Sequence, residues 1–115
     1  MHRSLELILD KIDLIDEIVQ ERGGIVKALQ DEKLARPAIL MHLIAIAEQF
    51  RRLQDAMEYG ILSRFEREDI RGAFAVRNFI AHDYEGVNIA LIENVIRDYL
   101  PKIKSVIRSF EDLPS

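Results

Sequence analysis

Four side chains able to do chemistry fall within eight residues, in the stretch Arg77-Asn78-Phe79-Ile80-Ala81-His82-Asp83-Tyr84. His82 can move protons near neutral pH, the property required of a general acid or base. Arg77 carries a guanidinium that cannot lose its proton, so burying it is costly without a partner. Asn78 adds an amide and Tyr84 a phenol. Arg77 and His82 are five residues apart in sequence. On a continuous helix that is roughly 140° around the axis. They would not meet within one chain unless the helix ends between them. Two copies of the stretch facing each other across a dimer would bring arginines and histidines together.

The stretch closes a helical pattern. Spacing predicts a helix from Glu66 to Ala81, with Ile70, Ala73, Phe74, Ile80 and Ala81 on one stripe and Arg77 in its middle. Val76 and Phe79 point elsewhere, so the helix is apolar on more than one side. Such a helix is expected to be surrounded by other helices or by another subunit. Gly72 in its interior costs about 1 kcal/mol relative to Ala, which implies close packing against a neighbour. Asp83-Tyr84-Glu85-Gly86 reads as a turn.

Three further long helices are expected. Leu5, Ile8, Ile12, Ile15 and Val19 recur at 3-4-3-4 spacing, with Asp10, Asp13, Asp16 and Glu17 outward and Gly23-Gly24 as the stop. Ile39, Leu43, Ile46, Phe50, Leu53 and Met57 form the second, with Pro37 in its first turn and Gly60 as its stop. Ile89, Ile92, Ile96, Tyr99, Ile103, Val106 and Phe110 form the last, capped by Asn88 and kinked by Pro101. Ile25 to Lys33 and Ile61 to Phe65 read as short turns or connectors, and the tail Glu111 to Ser115 is expected to fray. Four helices with short connections favour an antiparallel bundle, and the spare apolar face of the third favours a dimer.

Composition narrows the function classes. The 115 residues fit one domain spanning 1–115, and the 49% hydrophobic content supports a globular core. With no cysteine, disulfides and thiolate metal sites are excluded. No stretch reaches the roughly 20 apolar residues of a membrane span. Acidic residues interrupt the N-terminus too early for a signal peptide, so a cytosolic protein is expected. The net charge of −4 argues against a protein that coats nucleic acid. It leaves room for an enzyme that grips one phosphate, and it suits a basic protein partner.

Arg77, Asn78, His82 and Tyr84 together make an Arg-x4-His-x-Tyr motif that resembles the signature of HEPN-domain proteins, and more closely the HepT-like toxins (the DUF86 group). The likeness covers nearly the whole chain. Pro37 to Leu53 is similar to the family's second helix, with Ala47-Glu48-Gln49 in place of its usual Ile-Gly-Glu-Ala, and Leu100-Pro101 matches a common feature of the last helix. The chain departs from the commoner form between Ile61 and Asp69, a short segment without Trp.

The resemblance implies a four-helix HEPN fold and a homodimeric ribonuclease toxin. His82 would serve as general acid or base, and Arg77 would hold the scissile phosphate or its developing charge. The ribose 2′-hydroxyl would attack, so no metal or other cofactor is implied. Asn78 would orient the histidine or touch a ribose. Tyr84 would accept AMP from a minimal nucleotidyltransferase antitoxin, and the added bulk and charge beside His82 would block RNA.

Bland alternatives stand beside each role. His82 would cap helix carbonyls, Arg77 would pair with a carboxylate such as Glu48, Asn78 would be a surface amide, and Tyr84 would pack on the next helix. Arg64, Arg67 and Arg71 follow a helical face toward Asn78 and His82 and would guide RNA, Arg71 in particular. Interleaved Glu66, Glu68 and Asp69 make a solvated charged face the simpler reading. His2 and His42 show no metal-ligand pairing. Two rival functions follow: a nucleotide- or substrate-binding accessory subunit of a nucleotidyltransferase, and a purely structural dimerisation bundle with Arg77 and His82 sealed in the core.

Overall fold

The computed structural model describes residues 1–111. Of the tail expected to fray, Glu111 closes the last helix and the residues after it lie outside the described ones.

Apolar side chains at helical spacing produce the elements. Helix α1 (Arg3–Arg22) buries Leu5, Ile8, Ile12 and Ile15 along one face. It ends at Gly23, whose φ of 86° is the left-handed conformation that a side chain disfavours. Ile25–Gln30 forms a short helix, α2. Helix α3 (Ala35–Asp55) buries Ile39, Leu43, Ile46, Phe50 and Leu53. Asp31 holds its start by accepting the Ala35 N–H at 3.1 Å and those of Lys33 and Leu34 at 3.3 Å. These bonds, that to Ala35 first, hold the Asp31 carboxyl below its usual range. The expected extension of this helix to Met57 and Gly60 does not form. Met57 leaves the helix at a φ of 57° and is exposed. Phe65, further along, is buried instead and meets the Phe50 ring edge-on at 5.1 Å.

A single turn, α4 (Tyr59–Leu62), leads to α5 (Arg67–His82). Asn88 caps α6 (Ile89–Asn94) by accepting the Leu91 N–H. A π turn over Val95–Tyr99 then joins α6 to α7 (Leu100–Glu111). Within it the Leu100 N–H reaches back to the Val95 carbonyl, five residues earlier. The disturbance expected at Pro101 thus takes the form of a widened turn immediately before it.

Helix α3 packs between α1 and α5, α1 also meets α7, and α5 closes the ring on the π turn. The result is the expected all-α bundle, with no strand among the described residues. Lys104 of α7 ties that helix to α1 through Asp13 at 2.7 Å and Asp16 at 3.4 Å. The Asp13 hydrogen bond is the main reason its ammonium pKa is raised.

Helix α5 sits differently from the expectation. Its buried residues are Asp69, Val76 and Ile80, while Ala81 is exposed and Ile70, Phe74 and Arg77 are half-buried. The core-facing line runs through Asp69, Ala73 and Val76, which share a small apolar gap with Leu43, Val95 and Tyr99. That line is about 100° from the one through Ile70 and Arg77. The rotation leaves Arg77 at the rim rather than in the core. The close approach expected at Gly72 is present, since a Cβ there would lie 3.1 Å from the Tyr99 ring.

Asp69 occupies that line at a cost. It is 2% exposed, and its Oδ1 has no hydrogen-bond partner among the described residues. Burial pushes its carboxyl above the usual range; Lys102 opposes this, while Glu66 and Glu68 add to it. A raised folded pKa gives stability that is present below the unfolded value of 3.8 and lost as pH rises through the folded value. Asp69→Asn is therefore expected to raise the melting midpoint by a few degrees at about pH 7 and to have little effect at about pH 3. An equal change at both pH values in thermal melts would show that the carboxylate's charge is not the cause.

Candidate functional site

The outward face of α5 carries Arg71, Ala75, Asn78, Phe79 and His82, all exposed. These residues recur at helical spacing on the side opposite Asp69, Ala73, Val76 and Ile80. Phe79, 57% exposed, is a large apolar side chain in the middle of a polar motif.

Arg77 lies between this face and the core. Its Nε is 3.4 Å from Glu48 Oε1 on α3, and its Nη1 donates to Asn78 Oδ1 at 3.3 Å. Glu48 is the carboxylate named above as one partner for a structural Arg77. The pair forms at the solvent-accessible rim, with the Arg77 side chain 38% exposed. A half-exposed pair of this kind positions a guanidinium without burying its charge. Glu48, Arg51, Gln54, Asp55, Phe74, Arg77 and Asn78 surround an open depression of about 350 Å³.

His82 is the last residue of α5, so the helix does not break between Arg77 and His82. Its imidazole is exposed and forms no hydrogen bond or ion pair among the described residues. It lines a second depression with Ala75, Asn78 and Phe79. Asn78 belongs to both depressions. Within one chain, then, Arg77 and His82 stand at neighbouring hollows joined by the Asn78 amide. The structural-bundle reading expected both residues paired off in the core; Arg77 is paired, with Glu48, but at the rim, and His82 is exposed in the single chain.

Tyr84 follows two residues beyond α5 and is 41% exposed. The turn that holds it is closed by Asp83 Oδ1, which accepts the Gly86 N–H at 2.9 Å.

The arginine trio divides. Arg64 precedes α5 and turns away: its guanidinium stacks on Phe110 at 4.1 Å and donates to Ser109 Oγ at 2.7 Å. The expectation that it shares a face with Asn78 and His82 is therefore wrong. Arg67 and Arg71 are on α5 and line a larger cavity toward α4. Arg71 thus shares an exposed helix side with Asn78 but not its depression. His2 caps α1, its Nδ1 accepting the Ser4 N–H at 3.1 Å. His42 is half-buried on α3; burial first, then Lys11, holds its pKa below the usual histidine range, with Asp10 opposing.

Sequence reasoning missed Arg51, Asp55 and Tyr59. Arg51 and Asp55 follow Glu48 at helical spacing, so the signal was present on the polar side of α3. Tyr59 gave none, because its position depends on where α3 ends.

A helical bundle with an exposed Arg-Asn-x3-His helix is the class of protein that these observations define. Residues 8–110 match the model of the family described as ribonuclease HepT-like, and the chain belongs to that family. A ribonuclease-type activity is accordingly supported at the level of the family. No curated protein and no solved structure gave a significant match. Among the described residues, no helix is long and apolar enough to cross a membrane.

Proposed function

We propose that this protein is a HEPN ribonuclease toxin, cleaving RNA at a site built from the α5 helices of two copies. The observation that carries the reading is the placement of Arg77 and His82. Both are accessible, both flank Asn78, and they stand in separate hollows of one rigid helix. A second copy laid against the exposed side of α5 would cover Phe79 and set the two motifs face to face.

In that arrangement one His82 takes the proton from a ribose 2′-hydroxyl. The freed oxygen attacks the adjacent phosphorus, and the bond to the 5′-oxygen breaks. The partner's imidazole, in its protonated form, gives a proton to the departing 5′-oxygen. Arg77 stabilises the charge that develops on the non-bridging oxygens, and Glu48 keeps the guanidinium aimed at the hollow. Asn78 holds Arg77 and borders the ribose. The products are a 2′,3′-cyclic phosphate and a 5′-hydroxyl. Incubation of total RNA with the purified protein and a chelator is expected to yield those ends. Intact RNA from protein of unmodified mass would overturn the nuclease assignment.

Tyr84 is the proposed switch. Its exposed phenol would attack the α-phosphorus of ATP held by a minimal nucleotidyltransferase antitoxin, gaining AMP and releasing pyrophosphate. The bound nucleotide would fill the approach to His82 with bulk and negative charge. Co-expression with that partner is expected to add AMP mass to the wild-type chain and none to Tyr84→Phe. An equal mass gain in the variant would remove Tyr84 as the acceptor.

The net charge of −4 favours a second reading, an accessory subunit that binds nucleotide without cleaving RNA. Calorimetric nucleotide binding with no RNA turnover would support it.

A further inference from the structure

A hollow of about 690 Å³ lies between α4 and the N-terminal half of α5, away from His82. Its lining combines the Tyr59 ring, the guanidinium groups of Arg67 and Arg71 and the polar side chains of Gln54 and Ser63 with apolar residues, Phe65 and Phe74 among them. Tyr59 is 63% exposed, an unusual position for a large aromatic side chain that supports no core contact. No ion pair ties Arg67 or Arg71 to a carboxylate among the described residues, whereas Arg77, Arg97 and Arg36 are each paired. Ser63 Oγ is turned to the Gly60 carbonyl at 3.0 Å, which fixes its position and leaves its lone pairs open.

The hollow adjoins the one at Arg77, since Gln54 and Phe74 line both. Asn78 continues the line to His82. The track therefore follows α5 from Arg71 to His82, about 16 Å at the helical rise of 1.5 Å per residue. Four arginines border its first two hollows, Arg51, Arg67, Arg71 and Arg77, against the carboxylates of Glu48 and Asp55. A locally basic trough thus runs across a chain of net charge −4.

We infer that this trough binds single-stranded RNA, with Tyr59 as a platform on which a base of the strand stacks several nucleotides from the scissile phosphate. Arg67 and Arg71 hold the phosphates beside that base, and the Gln54 amide faces its edge. An exposed ring beside unpaired guanidinium groups is the pairing that single-strand binding uses, since every base offers a π face and every nucleotide a phosphate. The subsite deepens the ribonuclease reading and rests on it for the identity of the strand.

Binding is measured by fluorescence anisotropy with a labelled single-stranded RNA of about eight nucleotides in the His82→Ala background, which separates affinity from cleavage. Tyr59→Ala is expected to weaken binding about tenfold, and Tyr59→Phe to restore it, because stacking needs the ring and not the hydroxyl. Arg67→Gln is expected to weaken binding and to lower the slope of log affinity against log salt by about one phosphate contact. Both residues are exposed, and unchanged circular dichroism would exclude misfolding. Wild-type affinity in Tyr59→Ala and Arg67→Gln would overturn the subsite while leaving the nuclease reading intact. Weakened binding in both, with no cleavage by the wild-type protein, would keep the subsite and remove the nuclease. No binding of the RNA by any form would overturn the subsite, and cleavage by the wild-type protein would then decide the nuclease reading separately.

Discussion

Replacing His82 with Ala is expected to lower RNA cleavage by about two to four orders of magnitude, the usual worth of a positioned proton-transfer group. In a homodimer the substitution removes both imidazoles at once, so the acid and the base are lost together. The fold should be indifferent. The imidazole is exposed, ends α5 and bonds to nothing among the described residues. Surface changes of this kind usually move stability by no more than about 0.5 kcal/mol. The measurement is cleavage of a defined RNA beside a thermal melt of the same sample. Full cleavage by the variant would exclude His82 from the chemistry, whatever the melt shows.

Arg77→Gln is expected to cost about two to three orders of magnitude in cleavage, typical of losing one group that stabilises transition-state charge. Its pairing with Glu48 raises the rival explanation that Arg77 only braces α5 against α3. The geometry separates the two. The pair is half-exposed at 3.4 Å, so breaking it should cost under about 1 kcal/mol of stability. Glu48→Gln removes the charge from the same pair but keeps an amide oxygen that can accept from Nε and hold the guanidinium in its aim. If Arg77 grips phosphate, Glu48→Gln should retain most of the cleavage that Arg77→Gln loses. If Arg77 is only a brace, the two variants should lose activity alike. Arg77→Lys should recover little, because a lysine offers a point charge where the guanidinium offers a fork.

Much of the architecture was legible in the order of residues. The 3-4 recurrence of Leu5, Ile8, Ile12 and Ile15, and of Ile39, Leu43, Ile46 and Phe50, named the buried faces of α1 and α3 without knowledge of what they face. Asn88 and Gly23 marked helix ends through purely local chemistry, a side-chain acceptor and a positive φ. Gly72 announced a close neighbour, although only the fold shows that the neighbour is the Tyr99 ring. The Arg77, Asn78, His82, Tyr84 cluster needed spacing and residue type alone. So did the angle that keeps Arg77 and His82 apart on one helix.

What required the tertiary structure was rotation and partner choice. Apolar periodicity on α5 was shared among Ile70, Phe74, Val76, Phe79 and Ile80, so several faces competed for the core. Packing against α3 and the π turn selected the line through Asp69 and Val76, even though that buried a carboxylate. The same rotation left Phe79 and His82 outside and Arg77 at the rim within reach of Glu48. Arg64 was misread because it lies in the turn between α4 and α5, and the helix that carries Arg67 and Arg71 begins only at Arg67. Tyr59 entered no sequence argument because α3 stops at Asp55, and that ending sets where the ring stands. Sequence determines a helix and its apolar repeat through bonds and contacts within a few residues. Which face turns inward is decided by the sum of contacts with helices far along the chain, and here that sum exposes the Arg77 to His82 motif.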